Sequence, residues 1–274
     1  MTRNPPALVF TDLDGTLLDH DSYDWSPAAP LLGRLTAAGI PVVLASSKTG
    51  AEMVPLRREM GLQGAPLICE NGAGVIAAGP GPAAADRDAY ERLRAGLDAL
   101  PRALRGSFEG FGDMGPGRIA EITGLAPDAA AAAALRAFSE PGLWHGDAAG
   151  QDRFLAGLAE RGITGRRGGR FLTLSFGGTK ADRMDEIAGQ YGRPVTIALG
   201  DAPNDREMLE TADYGIVIAN AHGTPLPPLA GETGGEGRGG RIRRSRQPGP
   251  HGWSAELAGL LSDLGIATQG AARG

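Results

Sequence analysis

A chain of 274 residues, 42% hydrophobic and 22% charged, can bury one large core or two smaller ones and has an ordinary globular composition. Its net charge of −5 argues against a nucleic-acid surface, where basic residues meet phosphates, and no apolar run approaches the roughly 20 residues of a membrane span. Residues 1–6 lead straight into an apolar run with no room for a signal peptide, so a cytoplasmic location is expected. The single cysteine, Cys69, lies in the apolar run 66–69 and is expected to be buried and inert.

The first apolar run, 7–11, reads as a strand and is followed at once by Asp12-Leu13-Asp14-Gly15-Thr16. Two carboxylates one residue apart at a strand end make a negative corner where a metal ion and a phosphoryl group could be held together. The plain alternative is a tight Asp-Gly turn with solvated acids. Unit charges about 4 Å apart repel by roughly 4 kcal/mol at an effective dielectric near 20, so such a corner needs cations from elsewhere. A helix-compatible stretch at 28–38 leads to a strand at 40–45 and then to Ser46-Ser47-Lys48-Thr49. Hydroxyls there could donate to a phosphate or cap the helix expected at 50–60; one helix end serves both purposes.

After a strand at 66–69, the chain from about Pro82 to Ser175 is far longer than one crossover needs. It reads as a separate α+β cap, with an alanine-rich helix inside 127–138 and strands at 119–122 and 170–176. Gly177-Gly178-Thr179-Lys180 comes next, either a turn with a solvated charge or a close backbone approach that sets an ammonium against phosphoryl oxygens. A helix at 181–191 and a strand at 195–199 bring the chain to Gly200-Asp201-Ala202-Pro203-Asn204-Asp205. Asp12 and Asp201, from two strand ends, together suit Mg²⁺, which prefers carboxylate and water oxygens. A helix at 204–212 and a strand at 215–218 follow, then a glycine-rich loop at 231–240, expected to be solvated, and a basic strand.

Short apolar strands alternating with helices predict a doubly wound parallel-sheet α/β core, residues 1–81 and 176–274, with an inserted α+β cap, residues 82–175. Ligands of such sheets sit beyond the carboxyl ends of the strands, where Asp12, Ser46 and Asp201 all fall. His145 and His251 lack ligand spacing, and Trp25 and Trp253 read as packing anchors.

Taken in order, these four motifs resemble the haloacid dehalogenase superfamily of phosphohydrolases. Softer stretches (22–28, 46–52, 70–73, 136–141, 168–171 and 249–253) resemble the mannosyl-3-phosphoglycerate phosphatase family within it. The resemblance implies that Asp12 is a nucleophile forming an aspartyl-phosphate and that Asp14 is the general acid and base. It implies Ser46 and Lys180 at the phosphoryl group, and Mg²⁺ held by Asp12, the Asp14 main-chain carbonyl and Asp201. Asn204 and Asp205 are then expected to orient a metal-bound water or Lys180. Ser47, Lys48, Asn71, Arg136 and Arg170 become candidates for the carboxylate or hydroxyls of a small phosphorylated sugar-glycerate.

Within enzymes, the alternatives are glucosyl-3-phosphoglycerate as substrate, a broader hexose-phosphate phosphatase, or a phosphomutase. From other classes, a phosphate-accepting signalling domain would need about half this length and no cap. A non-catalytic binding protein on the same fold would be expected to have lost Asp12, Asp14 or Lys180, and all three are present.

Overall fold

The computed structural model describes residues 4–79, 87–220, 222, 225–232 and 240–268. The strands in chain order are β1 (Ala7–Thr11), β2 (Val42–Ala45), β3 (Leu67–Cys69), β4 (Gly74–Ile76), β5 (Phe108–Gly110), β6 (Ser139–Trp144), β7 (Thr164–Gly168), β8 (Phe171–Ser175), β9 (Val195–Gly200), β10 (Tyr214–Ala219) and β11 (Ile242–Pro248). They form two sheets, a seven-stranded one in the order β11-β10-β9-β1-β2-β3-β4 and a four-stranded one in the order β5-β6-β8-β7.

All pairs in the larger sheet are parallel except β3 with β4. Successive residues of β1 point to opposite faces, and both faces are covered, as expected of parallel strands. Ala7 and Val9 pack with Leu31, Leu35, Met53 and Trp253 on one side, while Leu8 and Phe10 pack with Met184, Ile187 and Met208 on the other. The helices Ala29–Ala37, Gly50–Glu59 and Gly249–Asp263 therefore cover one face, and Lys180–Gln190 with Arg206–Thr211 the other. This is the doubly wound α/β fold expected from the alternation of apolar runs and helical stretches.

The chain runs outward from β1 through β2 to β3, then returns at β9 on the opposite side of β1. β1 and β9 thus flank the topological switch point, where the crevice of such a sheet opens. Asp12 and Asp201 are the residues just past the ends of these two strands. Trp253 supports this corner from below: fully buried, its indole N–H donates to Thr11 Oγ1 at 3.0 Å, and the Thr11 hydroxyl donates to the main-chain oxygen of Asp12 at 2.8 Å.

The four-stranded sheet is antiparallel throughout. Leu172 and Leu174 of β8 join Leu93, Leu97, Phe154 and Leu158, from the helices Asp88–Asp98 and Ala148–Ala159, in a separate core. The residues that alternate with them along β8, Phe171, Thr173 and Ser175, face the opposite way into a cleft. The structure corrects one expected element: Ile119-Ala120-Glu121-Ile122 is helical, within Pro116–Thr123. Pro116 at the helix start supplies a preset φ, Gly124 closes the helix in the left-handed region at φ 79°, and Ile119 is buried while the small residues around it do not compel extension. The alanine-rich helix spans Pro127–Ala133. Of the glycine-rich loop expected at 231–240, residues 233–239 lie outside the described residues; the basic strand after it is β11.

Candidate active site

Lys180 is the first residue of the helix Lys180–Gln190, capped by Thr179, whose hydroxyl accepts the Asp182 N–H. This end of the helix is brought against the loop after β3 because Gly72 carries no side chain: a Cβ there would lie 2.1 Å from the Thr179 main-chain carbon, and its φ of +92° also suits glycine. Lys180 is 2% exposed, and its Nζ donates to Asp12 Oδ1 at 2.5 Å and to Asp205 Oδ1 at 2.7 Å.

Asp201 completes the group. Its Oδ1 accepts the Thr16 hydroxyl at 2.7 Å and its Oδ2 the Asn220 side-chain amide at 2.6 Å. Gly15, at φ +77°, makes room for it, since a Cβ at that position would sit 2.9 Å from Asp201 Oδ2. Asp205 Oδ2 in turn accepts the main-chain N–H groups of Asp201 and Ala202 at 3.2 and 3.1 Å, so the loop after β9 is folded around it.

Carboxylate oxygens of Asp12, Asp201 and Asp205 lie within 4.8 Å of one another, and all three residues are buried. Three carboxylates against the one ammonium of Lys180 leave a formal excess of two negative charges (three minus one). Burial, with the neighbouring charge of Asp205, pushes the Asp12 carboxyl well above its usual range despite Lys180 beside it. Burial also raises Asp201, against the pull of the Thr16 hydrogen bond. Lys180 shows the converse: burial opposes its charge, but Asp12 and Asp205 outweigh burial and hold it above the ordinary lysine value. A buried set of hard oxygen donors with excess negative charge fits a small divalent cation such as Mg²⁺.

The Asp14 side chain turns away from this group. Its Oδ2 pairs with Lys48 Nζ at 2.9 Å, and its Oδ1 is buried without a hydrogen-bond partner. Burial works against the Lys48 charge, yet Asp14 raises its pKa overall, and the ammonium also lies 5.2 Å from the Tyr23 ring centre. Asp14 and Lys48 both face a cleft of about 770 Å³ between the two sheets. Across β6, β8 and β7, Pro141, Thr173 and Arg166 are paired side by side and line its far wall. Arg167 and Phe171 extend that wall.

The other sequence candidates are distributed unevenly. Ser46 is buried just past β2, its hydroxyl accepting the Lys48 N–H at 3.3 Å, while Ser47 lies on the cleft wall. Asn71 and Asn204 line the cleft and bond to each other at 3.2 Å, so Asn204 is not brought to Lys180, whereas Asp205 is. Arg136 reaches the cleft with its guanidinium already engaged: it lies 3.3 Å from Glu70 Oε2 and donates to Ser139 Oγ and to the Ser47 main-chain oxygen. Arg170 is not brought to the cleft. It sits exposed on the tight β7–β8 turn, its guanidinium 5.7 Å from the Phe171 ring centre.

Sequence reasoning missed Thr16, Asn220, Arg166, Arg167 and the part played by Glu70. Thr16 and Glu70 lay inside motifs already singled out, and Asn220 occupies the same place after β10 that Asp201 occupies after β9. Glu70, at φ 53°, is 2% exposed and accepts the N–H groups of Ala137 and Phe138 and the Ser139 hydroxyl, besides facing Arg136. It therefore ties the chain entering β6 to the carboxyl end of β3. Glu70→Ala is expected to lower stability by about 3–5 kcal/mol, because the Arg136 charge is left buried and unpaired; urea unfolding of the variant against the parent measures this. Cys69 is buried as expected, and burial pushes its thiol up to about 12.

Residues 9–81 and 170–224, the two segments that build most of the larger sheet and carry the acidic cluster, match the family model of haloacid dehalogenase-like hydrolases. Over these two segments the chain is similar to the haloacid dehalogenase-like hydrolases. The fold is shared with a phosphatase of that superfamily from Bacteroides thetaiotaomicron at 17% identity, with 95% of this chain and 96% of that one covered and a TM-score of 0.64. It is also similar to the sucrose-phosphatase from Synechocystis, described in complex with sucrose and phosphate, at 14% identity, 95% and 98% coverage and a TM-score of 0.57. A subclass IIB sugar phosphatase aligns at 16% identity, 95% and 100% coverage and a TM-score of 0.57. No helix among the described residues is long and apolar enough to cross a membrane.

Proposed function

We propose that the protein is a Mg²⁺-dependent phosphomonoester hydrolase acting on a phosphorylated sugar derivative. The observation that carries this reading is the buried meeting of Asp12, Lys180, Asp201 and Asp205 at the switch point of the sheet. Lys180 holds Oδ1 of Asp12, which leaves Oδ2 to attack phosphorus. As the new Oδ2–P bond forms, the ester P–O bond breaks, and the leaving alkoxide takes a proton from Asp14. Asp14 then takes a proton from the water that attacks the phosphoaspartate, which regenerates the Asp12 carboxylate and releases phosphate. Mg²⁺ bound by Asp12, Asp201 and the Asp14 main-chain carbonyl would supply the positive charge that lets a phosphate approach this acidic group. Thr16, Asn220 and Asp205 keep Asp201 and its loop in place, so little rearrangement accompanies the charge transfer.

In this reading residues 82–175 form the cap, and the open face of its sheet roofs the substrate. The finer assignment is mannosyl-3-phosphoglycerate, hydrolysed to mannosylglycerate. It is supported by the motif stretches around Lys48, Glu70 and Arg136, and by the cations Lys48, Arg166 and Arg167 on the cleft wall, which suit a substrate with a carboxylate besides its phosphate. Phosphate release from mannosyl- and glucosyl-3-phosphoglycerate, simple hexose phosphates and 3-phosphoglycerate, with and without Mg²⁺, tests both levels. Release that requires Mg²⁺ and is fastest with mannosyl-3-phosphoglycerate is expected. Equal rates on all esters would remove the finer assignment, and no release from any would remove the phosphatase reading.

A further inference from the structure

Among the described residues a second group of side chains, separate from the acidic cluster, has the make-up of a metal site: His20, Asp21 and His222. Each offers a ligand atom within 4.8 Å of the others, and all three are exposed. The two imidazoles come from segments about 200 residues apart in the chain, yet their ring centres are 4.5 Å apart and their planes tilt by only 9°. His222 Nε2 lies 3.4 Å from Asp21 Oδ2. We propose that this cluster is a surface site for a divalent transition-metal ion such as Zn²⁺.

The donor chemistry separates it from the buried site. Two imidazole nitrogens and one carboxylate oxygen suit Zn²⁺, Ni²⁺ or Cu²⁺, whereas the three carboxylates of Asp12, Asp201 and Asp205 suit Mg²⁺. The lone pairs of stacked rings lie in parallel planes rather than converging on one point. Ligation therefore turns one ring about its Cβ–Cγ bond, which exposure allows, until both nitrogens reach the roughly 2.0–2.1 Å of a Zn–N bond. Three protein ligands leave a fourth position to water.

The placement of the cluster gives an ion a structural consequence. The Asp19 carboxylate accepts the N–H groups of Asp21 and Ser22, which fixes the loop that follows the Asp12–Thr16 corner. On the other side, the His222 N–H donates to Asn220 Oδ1 at 2.8 Å, while Asn220 Nδ2 donates to Asp201 Oδ2. An ion held by His20, Asp21 and His222 thus ties the loop after the Asp12–Thr16 corner to the segment whose Asn220 bonds Asp201.

Calorimetric titration of the full chain with Zn²⁺ in saturating Mg²⁺ tests the site without reference to catalysis. One Zn²⁺ equivalent is expected to bind, and to bind equally well to the Asp12→Asn variant. His20→Ala and His222→Ala should each weaken it by no less than the roughly 10–100-fold that even an outer partner of a metal ligand contributes. Nitrogen NMR of the four histidines should show Zn²⁺ shifting the rings of His20 and His222. Absence of Zn²⁺ binding, binding unaffected by both alanine substitutions, or shifts confined to His145 and His251 would overturn the proposal. Because none of these readouts involves phosphate release, they leave the phosphatase reading to its own test.

Discussion

Asp12→Asn is expected to reduce Mg²⁺-dependent phosphate release by at least about 10⁴-fold, on the scale seen when a covalent nucleophile is removed from a hydrolase. An amide keeps the size of the side chain and can still meet Lys180 through its oxygen, so the buried corner is preserved while the attacking oxygen is lost. Circular dichroism and a thermal melt should show a folded variant no less stable than the parent. The reason lies in the charge balance: three buried carboxylates share one ammonium, and removing one of them relieves repulsion. A variant that releases phosphate within tenfold of the parent rate, as an order-of-magnitude criterion, would show that Asp12 is not the attacking group.

Lys180→Met should be damaging in both activity and stability. Loss of a positive group that steadies the transferring phosphoryl charge is expected to cost roughly 10²–10³-fold in turnover. Asp12 and Asp205 would also be left buried without their shared counter-charge, at a cost of about 3–5 kcal/mol near neutral pH. The direction with pH follows from proton binding. Asp12 is raised in the folded state above its unfolded value of about 3.9, so the native protein binds more protons than the unfolded one. Stability therefore falls as pH rises from that value through the raised one. In Lys180→Met the fall should be steeper, and acidification should restore much of the lost stability. Lys180 itself contributes the opposite dependence at the alkaline end. Its pKa is raised, so its stabilisation is complete below about 10.4 and is lost only above that. Melting temperatures of the two proteins between pH 5 and 8, without added metal and again with Mg²⁺, would measure these effects; Mg²⁺ should recover stability most at the higher pH. A variant melting curve that runs parallel to the parent across that range would contradict the shared-charge picture.

Six strands of the larger sheet were readable, five as apolar runs and β11 as a basic one, and three of them lead into a residue with chemistry, Asp12, Ser46 and Asp201; β4, three residues long and starting on Gly74, was not. The position of Lys180 was legible as a motif, but its dual grip on Asp12 and Asp205 depends on Gly72, whose missing side chain admits the helix end. The second sheet was harder to read. Alternation in 170–176 announced β8, but which side faces the cleft follows from its register with β6 and β7, and no local pattern carries that information. This is why Arg166, opposite Thr173, lines the cleft, whereas Arg170, on the turn, does not. The segment 119–122 is short and largely apolar, which suggests a strand, but its isoleucines are three apart, the spacing of one helical face, and the proline and glycine at its ends decide for the helix. Glu70 holds Ala137, Phe138 and Ser139 across more than sixty positions of chain, a partnership that only the folded structure reveals.

Borohydride reduction during turnover, followed by mass spectrometry of the peptide spanning Asp12, tests the covalent route most directly. A phosphorylated aspartate is reduced to homoserine, whereas a free carboxylate is untouched. Homoserine at position 12, formed only when substrate and Mg²⁺ are both present, is the expected result. Sustained phosphate release with an unaltered Asp12, or a reduced residue at any other position, would contradict it.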